Sequence, residues 1–164
     1  MTYATIRHVM TLLMFLTGAL ALGQGTDSDG SVDPELANAR ALLQAGREQM
    51  IREDMQLTES ESAAFWPVYN AYRDEKRVVQ DQHAKMVTRF VNLYREGGLD
   101  EEYAEGLIEE HFAIRSGILE VQRKYVPKFR AVLSALAVAR FYQLENKMDA
   151  EIDAQLALVI PLVE

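Results

Sequence analysis

A helical pattern that starts at Thr58 and does not stop until Gly97-Gly98 constrains this chain more than any other feature. Thr58-Glu59-Ser60-Glu61 is a capping box, in which the Thr58 hydroxyl and the Glu61 carboxylate each take up a free backbone N–H of the first turn. At 1.5 Å per residue the segment makes a rod of roughly 55–60 Å. Its apolar stripe is Phe65, Tyr69, Tyr72, Val79, Met86, Phe90 and Leu93, with Lys76 and His83 interrupting. The Gly97-Gly98 pair supplies the left-handed stop. Asp100 then caps a third helix, whose stripe is Tyr103, Leu107, His111, Ile114, Ile118, Val121, Tyr125, Phe129 and Val132. Two long helices joined by so tight a turn must run antiparallel. Pro67 and Pro127 lie inside them, and each predicts a kink.

Shorter helices are expected at either end. Asp33-Pro34-Glu35 opens the first, with Asp as cap and Pro at the first helical position, and Leu36, Ala39, Leu42, Leu43 and Met50 as its apolar face. The last runs from Ser134 to about Ile160, carries Phe141, Leu144, Met148, Ile152 and Leu156, and ends at Pro161. The expected fold is all-α: an elongated antiparallel helical hairpin with short flanking helices. Near its tip Met86, Val87, Phe90, Val91, Leu93 and Tyr94 spread over about 160° of the helix, wider than one antiparallel neighbour covers. That surplus must meet another helix, a second subunit or a client, and a homodimer is the preferred reading.

The start of the chain adds a compartment. A lone Arg7 precedes the apolar run Val9–Leu20 and the small-residue stretch Ala19-Leu20-Ala21-Leu22-Gly23. Residues 1–23 therefore read as a signal peptide, too short to span a bilayer and cut after Ala21 or Gly23. Residues 24–32, rich in Gly, Ser, Thr and Asp, read as a disordered linker, and residues 33–164 as the helical domain. Export leaves no stable membrane insertion. The 17 basic residues include Arg7 while all 25 acidic residues follow the signal, so the mature chain is more acidic than the full chain's net −8. Such a charge excludes sequence-independent nucleic-acid binding. With no cysteine, neither disulfides nor thiol chemistry are available, and packing alone must hold the exported protein.

The two principal helix starts echo one another. Leu57-Thr58, Ala63, Phe65-Trp66 and Asn70 recur in type as Leu133-Ser134, Ala139, Phe141-Tyr142 and Asn146 at a single offset. Here the chain resembles the Spy/CpxP family of periplasmic proteins, which carry two Leu-Thr-x-x-Gln motifs at helix starts. The first copy reads Leu57-Thr58-Glu59-Ser60-Glu61, with Glu for Gln. The second reads Leu133-Ser134-Ala135-Leu136-Ala137, with Ser for Thr and Ala for Gln. The resemblance implies a periplasmic, cradle-like antiparallel dimer. It also implies ATP-independent chaperoning, envelope-stress signalling or a metal response, with unfolded or envelope proteins as partners.

Charge is segregated along the chain. Residues 96–110 hold seven acidic and no basic side chains, while residues 113–147 hold seven basic against two acidic. Arg123, Lys124, Lys128 and Arg130, interleaved with Tyr125, Phe129 and Tyr142, make a candidate client-binding stretch: long-range attraction followed by apolar contact. Opposite charge blocks that orient two subunits explain the same pattern. The alternative chemistry is a zinc or copper site built from His83 and His111, with Met86 and Glu110 close by, because folding about Gly98-Leu99 brings both histidines to a similar height. No other cofactor is called for. Catalysis is not expected: the chain has no Gly-x-Ser-x-Gly elbow, no His-Glu-x-x-His and no phosphate-cradling Gly loop. Glu101-Glu102 and Glu109-Glu110 are sequence neighbours that diverge by about 100° on a helix.

Overall fold

The computed structural model describes residues 34–163, all-helical with no strand among them. The signal peptide, the linker and the Asp33 cap lie outside the described residues, as do the side chains of Leu36 and Ala39. Four helices follow in order: α1 Pro34–Met55, α2 Glu59–Glu96, α3 Glu101–Arg130 and α4 Ala135–Val159. No described helix is long and apolar enough to cross a membrane.

The helix ends follow the local chemistry of the sequence. Thr58 N–H donates to Glu61 Oε2 at 3.0 Å, and Glu61 N–H donates back to Thr58 Oγ1 at 3.3 Å. At the other end Gly97 takes φ +67° and donates to Tyr94 O, while Gly98 donates to Leu93 O at 2.9 Å. These are the paired bonds of a Schellman stop, open to glycine because it has no Cβ to clash at positive φ. Asp100 Oδ1 accepts from Tyr103 N–H at 2.8 Å and starts α3. Ser134 Oγ accepts from Ala137 N–H at 3.2 Å and starts α4. Both Pro67 and Pro127 lie inside continuous helices.

The flanking helices are not short. α1 runs 22 residues and α4 runs 25. Gly46 does not break α1, because the good helix formers that follow it carry Ile51 and Met55 into buried positions. α1 stops where Gln56 takes a left-handed φ of +47°.

The described residues form two compact units. One comprises residues up to Gln56 with Leu144–Val159, and the other Leu57–Gln143 with the residues from Ile160 onward. In the first, Arg47 bridges to α4, reaching Asp149 at 2.6 Å and Glu145 at 3.4 Å. Glu145 is only 2% exposed. A buried carboxylate of this kind is tolerable only while its cation stays in place.

In the second unit α2 packs on α3. The contacts run antiparallel, since partners in α3 descend as residues in α2 rise: Tyr72 meets Tyr125, Val79 faces Gly117, and Arg89 pairs with Glu110. An aromatic core closes one end. Phe65, Tyr69 and Tyr72 from α2, Tyr125 and Phe129 from α3, and Phe141 from α4 are all buried. Phe129 and Phe141 lie 4.6 Å apart, centroid to centroid, and Phe65 stands edge-on to Phe141 at 5.4 Å. Phe65 and Phe141 are equivalent positions of the internal repeat, so its two copies meet in the core. The surplus expected on α2 is not left open: Met86 and Phe90 are buried, and Val87, Val91, Leu93 and Tyr94 are half-buried within one chain.

Phe129→Ala should destabilise the chain by about 3–5 kcal/mol, the cost of a cavity at a closed aromatic contact. Gly106→Ala should stabilise it by about 0.5–1 kcal/mol, because alanine is the better helix former. A Cβ at Gly106 meets no atom within 4 Å. Urea unfolding followed by circular dichroism measures both.

Candidate functional site

The stretch expected to hold clients separates into two faces. Tyr125 and Phe129 are in the aromatic core, and Tyr142 is half-buried with its hydroxyl donating to Gln122 O at 2.8 Å. These rings are not offered to a partner while the fold is intact. The reason is periodicity: Tyr125 and Phe129 are one turn apart and continue the core stripe of α3, whereas Lys128 between them and Arg123, Lys124 and Arg130 beside them point elsewhere. Arg123, Lys124, Lys128 and Arg130 are all exposed.

Two of these cations are engaged by the core's edge. Lys124 Nζ donates to Glu75 Oε2 at 2.7 Å, and Tyr125 Oη donates to Glu75 Oε1 at 2.7 Å. Lys128 Nζ stands 3.9 Å from the Tyr125 ring centroid, a cation–π contact. The bond from Lys124, then that from Tyr125, hold the Glu75 carboxyl below the usual carboxylate range. Burial, and after it the hydrogen bond to Glu75, push the Tyr125 hydroxyl up to about 12.

The apolar side chains that do reach solvent are ones the core stripes passed over. Leu136 is 85% exposed at the start of α4, on one face with Arg140 one turn on, also exposed. On α3, Ile108, Phe112 and Leu119 are exposed, Phe112 by 67%. Their spacing of four and seven marks a second apolar stripe on a helix that already has one. That second period was the signal in the sequence that could have found them.

The metal candidates are distributed differently. Met86 is a core residue, and Glu110 is ion-paired with Arg89. His83 is half-buried on α2, and His111 is half-buried on α3 with its ring 5.5 Å from that of Phe112. Among the described residues no group of three or more His, Cys, Asp or Glu side chains is arranged to hold a metal ion. A cleft of about 410 Å³ does lie beside Glu110, lined by Arg89, Asp100, Glu102, Tyr103, Gly106 and Leu107 as well, and neither histidine lines it.

The motif residues hold structural posts. Thr58 and Glu61 close the α2 cap, Ser134 caps α4, Leu133 is buried and Leu57 half-buried. With Ala137 at the position of Glu61, the second cap lacks the reciprocal carboxylate. Compared with known protein families, with curated proteins and with solved structures, the chain matches none.

The Glu75–Tyr125 pair predicts a pH dependence at both ends. The raised Tyr125 contribution is complete below its unfolded value near 10 and is lost as pH climbs towards about 12. The lowered Glu75 contribution is present above the ordinary carboxylate range and is lost as pH falls through its folded value. In urea titrations across pH, Tyr125→Phe should remove the alkaline loss between these limits and lower stability at neutral pH. An unchanged alkaline limb would refute the assignment.

Proposed function

We propose that the chain is an exported, ATP-independent holdase or stress-response accessory of the periplasm, working as a dimer of helical hairpins on unfolded envelope proteins. The observation that carries this reading is the exposed start of α4, on which Leu136 stands with Arg140. A large apolar side chain beside an uncovered cation suits a client that is unfolded, apolar in patches and acidic in charge. It takes the place of the aromatic residues that turned inward.

Three sequence features agree with it. The signal-like start directs the chain to a compartment without ATP, the absence of a phosphate-cradling loop leaves nothing to hydrolyse it, and the two motif copies resemble the Spy/CpxP family. Attraction by fixed positive charge also favours breadth over selectivity, since many acidic chains satisfy it equally.

The test is suppression of aggregation of a chemically denatured client, with and without ATP and across ionic strength. Suppression should be indifferent to ATP and weaken as salt screens the surface charge. The combined Leu136→Glu and Arg140→Glu variant should slow client capture several-fold. Its unfolding free energy should fall by no more than about 0.5 kcal/mol per site, because both positions are exposed. No suppression at a several-fold molar excess would overturn the reading.

A further inference from the structure

The two units bury different chemistry. The second is built on aromatic rings, whereas the buried apolar side chains among the described residues of the first are Ile51, Met55 and Met148. Met50 is half-buried in the same unit. No aromatic residue occurs in α1, nor in α4 beyond Tyr142, and with no cysteine the thioethers are the only sulfur in the chain. The methionines lie on the faces that the Arg47 bridge brings together. On α4, Met148 and Asp149 follow Glu145 at steps of three and four, so Met148 shares the face that receives Arg47 at 3.4 and 2.6 Å. On α1, Ile51 and Met55 follow Arg47 at steps of four, and Met50 at a step of three. Met55 is also the last residue of α1, directly before Gln56 turns left-handed at φ +47°.

A thioether is open to oxygen transfer. A lone pair of the sulfur attacks an oxygen of hydrogen peroxide or hypochlorous acid, the S–O bond forms as the O–O or O–Cl bond breaks, and the sulfur is oxidised by two electrons. The oxidant leaves as water, or as chloride and a proton. The sulfoxide so formed is polar, and returning its oxygen to an apolar site without a donor is costly. The guanidinium nearest to Met148 on this face is already engaged by Glu145 and Asp149. We propose that Met55 and Met148 are modification sites for peroxide or hypohalous oxidants, and that their oxidation detaches α1 from α4. The terminal turn of a helix opens more readily than the middle of a long one, so α1 lifts, the oxidant captures the open form, and the sulfoxides keep it open. Met86 supplies the contrast: it is 6% exposed against 7% for Met55 and 6% for Met148, but lies in the interior of the 38-residue α2. A difference in reactivity among the three therefore reads opening rather than static exposure. The proposal rests on the contact of α1 with α4 and does not depend on holdase activity.

The test exposes the purified chain to hydrogen peroxide, follows the gain of oxygen at each methionine by peptide mass spectrometry, and measures amide hydrogen exchange on the same samples. Met55 and Met148 should be oxidised several-fold faster than Met86. The amides of α1 should then exchange several-fold faster than before, while those of α2 and α3 keep their protection. Methionine sulfoxide reductases of both stereospecificities should restore the protection of α1. The combined Met55→Leu and Met148→Leu variant, which nearly conserves volume, should keep α1 protected after the same treatment. Equal rates at Met55, Met148 and Met86, protection of α1 that survives oxidation of both residues, or protection lost equally in the oxidised double variant would each overturn the assignment. The reductase step is read on the wild-type chain, so the proposal stays testable if the variant folds poorly. Aggregation suppression measured on the unoxidised and oxidised samples reports on the holdase reading separately.

Discussion

The tilted ring contact between Phe129 and Phe141, with Phe65 edge-on to the second ring, is the interaction on which the second unit depends. It is the point where α2, α3 and α4 share one set of buried side chains. An aromatic pair contributes about 0.5–1.5 kcal/mol beyond the area it buries. Here several such pairs share members, so the rings restrain one another's rotamers. The caps at Thr58 and Ser134 deliver Phe65 and Phe141 to this cluster seven residues downstream of each helix start. Local chemistry at two helix ends is thus converted into a long-range contact.

Once that cluster forms, the charges follow from it. Turning Tyr125 and Phe129 inward forces the neighbouring lysines and arginines outward, and Glu75 gathers Lys124 and the Tyr125 hydroxyl at the boundary. Surface ion pairs of this kind contribute little individually, on the order of 0–1 kcal/mol. Their effect is orientation rather than stability: together with Arg89 and Glu110 they mark the register of α2 on α3. The Arg47–Glu145–Asp149 bridge of the other unit differs in kind, because Glu145 is buried and removing Arg47 would take a cation away from a charge that solvent does not reach.

For the proposed function, the exposed start of α4 with Leu136 and Arg140 is suited to transient, salt-sensitive capture, in which fixed charge raises encounter rate more than affinity.

Much of this architecture was legible along the chain. Caps, the Schellman stop and the core stripes of α2 and α3 are local patterns: the bonds at Thr58, Gly97 and Asp100 involve residues at most five apart, so their chemistry is complete in a short window. The full length of α1 was not legible, since its expected face ended at Met50 and the burial that carries the helix on through Ile51 and Met55 is set by packing. Nor was the division of the basic-aromatic stretch, because interleaving in sequence becomes separation on a helix only once it is known which face is buried. The exposure of Phe112 and the burial of Glu145 were likewise decided by tertiary structure alone. A side chain's solvent contact depends on which distant helix lies over it, and no local pattern carries that information. Sequence by itself determined where the helices of the second unit start and stop; packing determined which of their faces are left for something else to meet.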